Sequence, residues 1–224
     1  VRISVIIPAL NEAQALPQTL QVLHSLPCSA PIELIVADGG SRDGTVALAQ
    51  RLGAHVVSGA RGRAQQLNLG ADAASGDVLL FLHADTLLPA NGLLQLEAAV
   101  FSGALWGRFD VRIQGHPSML RIVAVMMNLR SRLTGIATGD QAMFMTRAAF
   151  DEVGAYPDQA LMEDIEISRR LKRLQSPACL RGPAITSGRR WETRGVWRTI
   201  VLMWCLRWAY WRGTSPDQLA QRYR

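Results

Sequence analysis

Four short, almost continuously apolar runs separated by stretches of helical period constrain this chain more than any other feature. They are ISVII (residues 3–7), IELIVA (32–37), AHVV (54–57) and VLLFL (78–82). A strand that is apolar on both faces is buried on both faces, which is the habit of a parallel sheet with helices above and below. The intervening stretches supply such helices. Leu16, Leu20, Leu23 and Leu26 share one side of the first, a second spans about 45–52, and a third spans 62–74. In sheets of this kind ligands bind at the C-terminal strand ends, near a switch in strand order. Pro8, Asp38 and Asp85 all fall there.

The second half is less regular. LWGRFDVRI (105–113) alternates and reads as a strand joined in mixed fashion, followed by a helix over 118–133, the segment TGDQAMFMT, and the helix-like MEDIEISRRLKRL. With 224 residues, one domain and an appendage suffice: residues 1–180 as the main domain and 181–224 as an Arg/Trp-rich helical appendage. The expected class is α/β, a Rossmann-like, mixed but mostly parallel sheet flanked by helices, with a C-terminal amphipathic helix.

Charge and cysteine narrow the partners. The net charge is +6, with Lys172 the only lysine, so arginine carries the basic character and anionic ligands suit it. Cys28, Cys179 and Cys205 lack any metal or disulfide spacing, which makes a reducing compartment, the cytoplasm, the default. The N-terminal VRISVIIPALNE reads as a first strand and not as a signal peptide, and no run reaches membrane-spanning length.

Four segments carry chemistry. DGGSRDGT (38–45) puts Asp38 at a strand end before two glycines, where a carboxylate can accept from a nucleobase or ribose; a well-capped turn is the plainer reading. Arg61 and Arg63 open the third helix, an awkward place for a cation unless an anion lies nearby. FLHADT (81–86) places His83 and Asp85 after the fourth strand; Asp85 is a hard oxygen ligand suited to Mg or Mn bridging a diphosphate, and His83 a second ligand or phosphate donor. MED (162–164) brings Glu163 and Asp164 to a helix start, where they either complement the helix dipole or provide a general base. Gly139 and Asp140, just upstream, can shape an acceptor side.

In this order the segments resemble the family-2 glycosyltransferases of GT-A fold over about residues 3–174. SVIIPALNE is similar to that family's opening strand and turn, VADGGSRDGT to its VDDGSxDGT, Asn68 and Gly70 with GDVLLFLHADT to its NxG…GDxxxFxDxD, and MED to its xED. The resemblance implies a nucleotide-sugar donor (UDP- or GDP-sugar) and a divalent metal (Mn or Mg). It further implies a nucleoside pocket of Pro8, Ala9, Glu12, Asp38 and Arg63, a metal site at Asp85 with His83, and Asp164 as base of an inverting displacement. Gly139, Asp140, Glu163, Arg190 and Trp191 are the expected acceptor-side residues.

Two departures matter. Gly39 replaces the second acid of the DDGS pattern, and His83-Ala84-Asp85 replaces DxD, a form similar to a small branch whose members have been named arsenosugar-biosynthesis glycosyltransferases. SGRRW keeps Arg190 and Trp191 of the processive QxxRW without its Gln, which favours transfer of a single sugar. The acceptor is left open between a small molecule and a lipid-linked one.

Trp197, Val201, Trp204 and Trp208 fall on one face of the tail, with Arg194, Arg198, Arg207 and Arg212 nearby. Such a helix either packs on the domain or a homodimer mate, the slightly favoured reading, or lies on the inner membrane surface. A nucleotidyltransferase is the nearest alternative enzyme, but PALNEAQ lacks the Gly-rich loop those enzymes place after the first strand. A non-catalytic membrane or nucleic-acid binder would explain the basic tail and leave the ordered acidic segments without a purpose, so no nucleic-acid partner is expected.

Overall fold

In the computed structural model, which describes residues 1–223, eight strands form one sheet in the order β3-β2-β1-β4-β7-β6-β8-β5. β1 (Ile3–Ala9), β2 (Ile32–Asp38), β3 (His55–Ser58) and β4 (Val78–Phe81) are mutually parallel, as their uniform apolarity predicts. Side chains alternate across a strand, so both faces need cover. Ile3, Val5 and Ile7 of β1 pack under α1 (Leu16–Ser25), while Ile6 points the other way, against α3 (Arg63–Ala73). α2 (Thr45–Arg51) links β2 to β3.

Close approach of α3 to β1 depends on Gly70, where a Cβ would lie 2.4 Å from Ile6 Cγ2. Asn68 on the same helix pairs its amide with both the backbone N–H and C=O of Tyr156, at 3.0 and 2.8 Å. The NxG pattern is therefore a packing and clamping device.

The remaining half is mixed. β5 is Thr86–Leu87, and α4 (Gly92–Phe101) leads to β6 (Trp106–Gln114). Next come α5 (Met119–Thr134), a single 3-10 turn at Gly139–Gln141, β7 (Met143–Thr146), α6 (Arg147–Glu152) and α7 (Glu163–Leu174). β7 runs antiparallel to β4 and β6, and β8 (Ala178–Ser187) lies parallel to β6 and antiparallel to β5. Strand β8 crosses the expected 180/181 division, so residues through Ser187 belong to the main sheet. The helical tail starts at Arg189, with α8 (Arg189–Arg194), α9 (Val196–Trp211) and α10 (Pro216–Tyr223).

α9 packs inward through Ile200 and Val196 against α5, and through Leu206 against Met162 and Leu219. Its tryptophan face points outward: Trp197, Trp204 and Trp208 are 67%, 70% and 61% exposed. The face singled out in the sequence is thus not the one that packs on this chain. No helix among the described residues is long and apolar enough to cross a membrane.

Candidate active site

The parallel strands end together, and their loops are laced into one wall. After β1, Asn11 takes a left-handed backbone (φ 55°), and its side chain accepts from Arg42 N at 2.8 Å while its own N–H donates to Ser41 Oγ at 2.8 Å. The Glu12 and Ala13 N–H groups donate to Thr45 Oγ1 and Asp43 Oδ2 at 2.9 and 3.1 Å. Asp38, only 3% exposed, accepts from the N–H groups of Gly40 and Ser41. Its carboxylate therefore braces the turn it begins, the plainer of the two sequence readings. Pro8 is half-buried and Ala9 fully buried in the same wall.

Gln66 of α3 was not visible as a site residue in the sequence. It is buried, and its amide donates at 2.8 Å to the carbonyls of both Ala9 and Ala37, pinning the ends of β1 and β2. A Cβ on Gly39 would lie 3.0 Å from that amide. The glycine that replaces the expected second acid thus fits against Gln66, and this pairing was the signal that could have found it.

FLHADT emerges on the far side of β4. Thr19 donates to the Ala84 carbonyl at 2.7 Å and Thr86 pairs with Thr186 at 2.9 Å, fixing the segment between α1 and β8. Asp85 is a quarter exposed and lines a cavity of about 200 Å³ together with Arg189 and Ser187. The Arg189 guanidinium lies 3.3 Å from Glu12 and 3.8 Å from Asp85. Sequence reasoning picked Arg190 and passed over Arg189, yet Arg189 bridges the two carboxylates. Arg190 stacks on Tyr223 with its guanidinium carbon 4.5 Å from the ring centre, and its charge acts on Asp140. Trp191 is half-buried against the Val111–Ile113–Leu120 cluster, so its ring is packing material.

The acidic groups meet across the 3-10 turn. His83 Nδ1 lies 3.2 Å from Asp140 Oδ1, and the Gly139 N–H donates to Asp164 Oδ2 at 3.1 Å. A Cβ at position 139 would be 2.4 Å from His83 Nε2, so only glycine lets the imidazole lie against this backbone. Burial acts to raise the Asp140 pKa, but the hydrogen bond and charge of His83, with Arg63 and Arg190, outweigh it and hold it at about 2.

Glu163 and Asp164 open α7, preceded by Met162 in a left-handed conformation (φ 68°), a strained arrangement for a residue with a side chain. Burial first, and the Asp164 charge second, raise the Glu163 pKa well above the ordinary carboxylate range, with Arg63 opposing. Arg63 reaches it at 3.9 Å. The cation at the α3 N-terminus is therefore placed by this acid.

The structure thus brings His83, Asp85, Asp140, Glu163, Asp164, Arg63, Arg189 and Arg190 to one rim of the sheet. Among the described residues no group of three or more His, Cys, Asp or Glu is arranged to enclose a metal. A single hard carboxylate beside a cation-filled cavity suits instead an ion that takes most of its ligands from a substrate diphosphate.

Comparison with known proteins agrees with this geometry. The profile of "Glycosyl transferase family 2" matches residues 4–153. Glycosyltransferase AglD of Haloferax volcanii is 32% identical over 188 residues, covering 74% of this chain and 28% of its own. A mannosyltransferase of Pyrobaculum calidifontis, in complex with GDP-Man and Mn2+, superposes with a TM-score of 0.66 at 20% identity, covering 99% of this chain and 68% of that one. S. aureus TarS in complex with UDP-GlcNAc gives 0.66 at 17%, covering 84% and 58%. These neighbours show the fold to be GT-A. The chain spans less than half the length of the curated relatives it matches.

Proposed function

Since the chain belongs to glycosyl transferase family 2, we propose that it transfers a single sugar from a UDP- or GDP-sugar to an acceptor oxygen with inversion at the anomeric carbon. The observation that carries this reading is the Gly139–Asp164 contact. It holds a half-buried carboxylate against the 3-10 turn that also meets His83, two residues from Asp85. The nucleoside lies against the strand-end wall at Pro8 and Glu12, behind which Ala9 and the turn-bracing Asp38 are buried, and the diphosphate faces Arg63, Arg189 and Arg190.

Of the two acids that open α7, Glu163 is 5% exposed and has its acidity suppressed, whereas Asp164 is less buried. Neighbouring carboxyls with such different surroundings divide their roles. Asp164 takes the proton of the acceptor hydroxyl as its oxygen bonds to the anomeric carbon and the bond to the nucleoside diphosphate breaks. Glu163 and Asp140 line the acceptor side.

Asp85 would hold a Mn or Mg ion shared with the diphosphate, with His83, two residues before it, held on Asp140. A cation already rests between Asp85 and Glu12 as the Arg189 guanidinium, and a lone carboxylate completed by phosphate oxygens is a donor set that Mg and Mn accept. When bound, such an ion stabilises the charge of the departing diphosphate. His83 is fixed by Asp140, the carboxylate support usual for a ligating or phosphate-binding imidazole.

Asp164→Asn tests the assignment. Asn preserves one oxygen to accept from the Gly139 N–H, so donor affinity is expected to stay at the parent value while kcat falls by about 10²–10⁴. An Asn variant with parent turnover would remove Asp164 as the base.

A further inference from the structure

Two arginines lie between the cleft and the helical layer, and the chemistry above uses neither. Arg130 belongs to α5 and Arg207 to α9. Nε and Nη2 of Arg130 and Nε of Arg207 are shut off from solvent with no hydrogen-bond partner. None of the ion pairs among the described residues includes either one. A guanidinium does not escape this by losing its proton. Burial first, and the Arg207 charge second, lower the Arg130 pKa to about 10, with Asp164 opposing them. Burial likewise lowers that of Arg207, against Asp164 and Asp140.

Buried, unfilled donors on two like charges are costly unless an anion completes them. Forked donors of this kind match a group with several acceptor oxygens, above all phosphate. Their electrostatic partner is Asp164, which places the anion on the acceptor side, apart from the donor wall of β1 and β2.

The outer surface of the same two helices says what carries that anion. α5 and α9 meet at one apolar cluster, which holds Val123 and Ala124 of α5 with Val111 and Ile113 of β6 and against which Val196 and Ile200 of α9 pack. Away from this seam, Val125, Met126 and Leu133 of α5 and Trp197, Trp204 and Trp208 of α9 are exposed. Arg121, Arg198 and Arg212 are exposed beside them, Arg212 stacking on Trp208 at 5.2 Å. Exposed Trp and aliphatic side chains bordered by arginine complement an anionic lipid headgroup layer.

We propose that the acceptor is an amphiphile bearing a phosphate, which Arg130 and Arg207 hold beside Asp164, while its apolar chain passes along α5 and α9 into a lipid surface on which those helices rest. The word acceptor rests on the glycosyltransferase reading; the anion site does not.

The test is direct binding to the full chain of dodecyl phosphate, inorganic phosphate and dodecyl maltoside, the last with an apolar chain and no charge. Dodecyl phosphate is expected to bind about tenfold or more tightly than either of the others. Arg130→Met and Arg207→Met should each weaken it by about tenfold, the loss of a charge-assisted hydrogen bond. Neither should lower the melting temperature of the free chain, because each removes buried donors that have no partner. Should a Met variant fail to fold, Arg130→Lys retains the charge with the fork removed and should show an intermediate loss. Unchanged dodecyl phosphate affinity in these variants would overturn the proposal. Inorganic phosphate binding as tightly as dodecyl phosphate would overturn its lipid part. UDP and GDP binding, measured on the same samples, separates the two readings: alkyl phosphate bound through Arg130 and Arg207 without nucleotide binding strikes the donor reading alone.

Discussion

A methyl group at position 139 would sit 2.4 Å from His83 Nε2 and 3.0 Å from Cε1, against an ordinary contact of 3.4 Å or more. The backbone at Gly139 is not left-handed, so the conflict in Gly139→Ala is purely steric. The imidazole must retreat by about 1 Å, and its 3.2 Å contact with Asp140 cannot survive that shift. Overpacking of this kind costs about 1–3 kcal/mol. In a chain of this size each kcal/mol lowers the melting temperature by about 2–4 °C. A displacement of about 1 Å in a site group costs up to about a hundredfold in rate. Differential scanning fluorimetry and turnover with the identified donor measure both effects. Gly139→Ala that melts with the parent and turns over at its rate would refute the packing of His83 on this turn. Loss of stability with full turnover would remove His83 from the chemistry.

Three further outcomes follow from the same geometry. Asp140, held at about 2 in the fold against about 4 in an unfolded chain, contributes stability above pH 4 or so that is lost as pH falls through about 2. His83→Gln should therefore narrow the gap in melting temperature to the parent as pH falls through that window; a gap that stays constant would contradict the pairing. Gln66→Leu removes two hydrogen bonds that pin the ends of β1 and β2, while Ala9 C=O keeps the Gly39 N–H, so the cost is about 0.5–1.5 kcal/mol for each bond lost. Chemical denaturation should show that loss, and nucleotide binding should weaken with it. Gly70→Ala forces α3 off Ile6 and should cost about 1–3 kcal/mol by the same assay, without change in pH profile.

The parallel half of the sheet was legible in the sequence because strands buried on both faces announce themselves as apolar runs. β1, β2, β3 and β4 fall within a residue or two of their expected bounds. β8 was not: its sequence ACLRGPAITS is neither apolar throughout nor alternating, and only its partners β6 and β5 make it a strand. The order of acidic motifs was legible, but the work of individual groups was not. Asp38 is taken up by its own turn, and Gln66 carries no local signal because its importance lies in two carbonyls from distant strands. Arg189 and Arg190 are neighbours in sequence, and only the short helix between β8 and α9 decides which of them meets Asp85. Arg130 and Arg207 carried no signal of their own, because only tertiary packing shuts their Nε groups off from solvent.

The central claim, that the wall at the strand ends binds a nucleotide sugar with a divalent ion at Asp85, is tested most directly by donor binding followed through the melting temperature. UDP- and GDP-sugars, each with and without Mn or Mg, would be applied to the parent and to Asp85→Ala. At least one donor should raise the melting temperature of the parent, more so with metal, and Asp85→Ala should abolish the metal-dependent part. No stabilisation of the parent by any nucleotide sugar, with or without metal, would contradict the account.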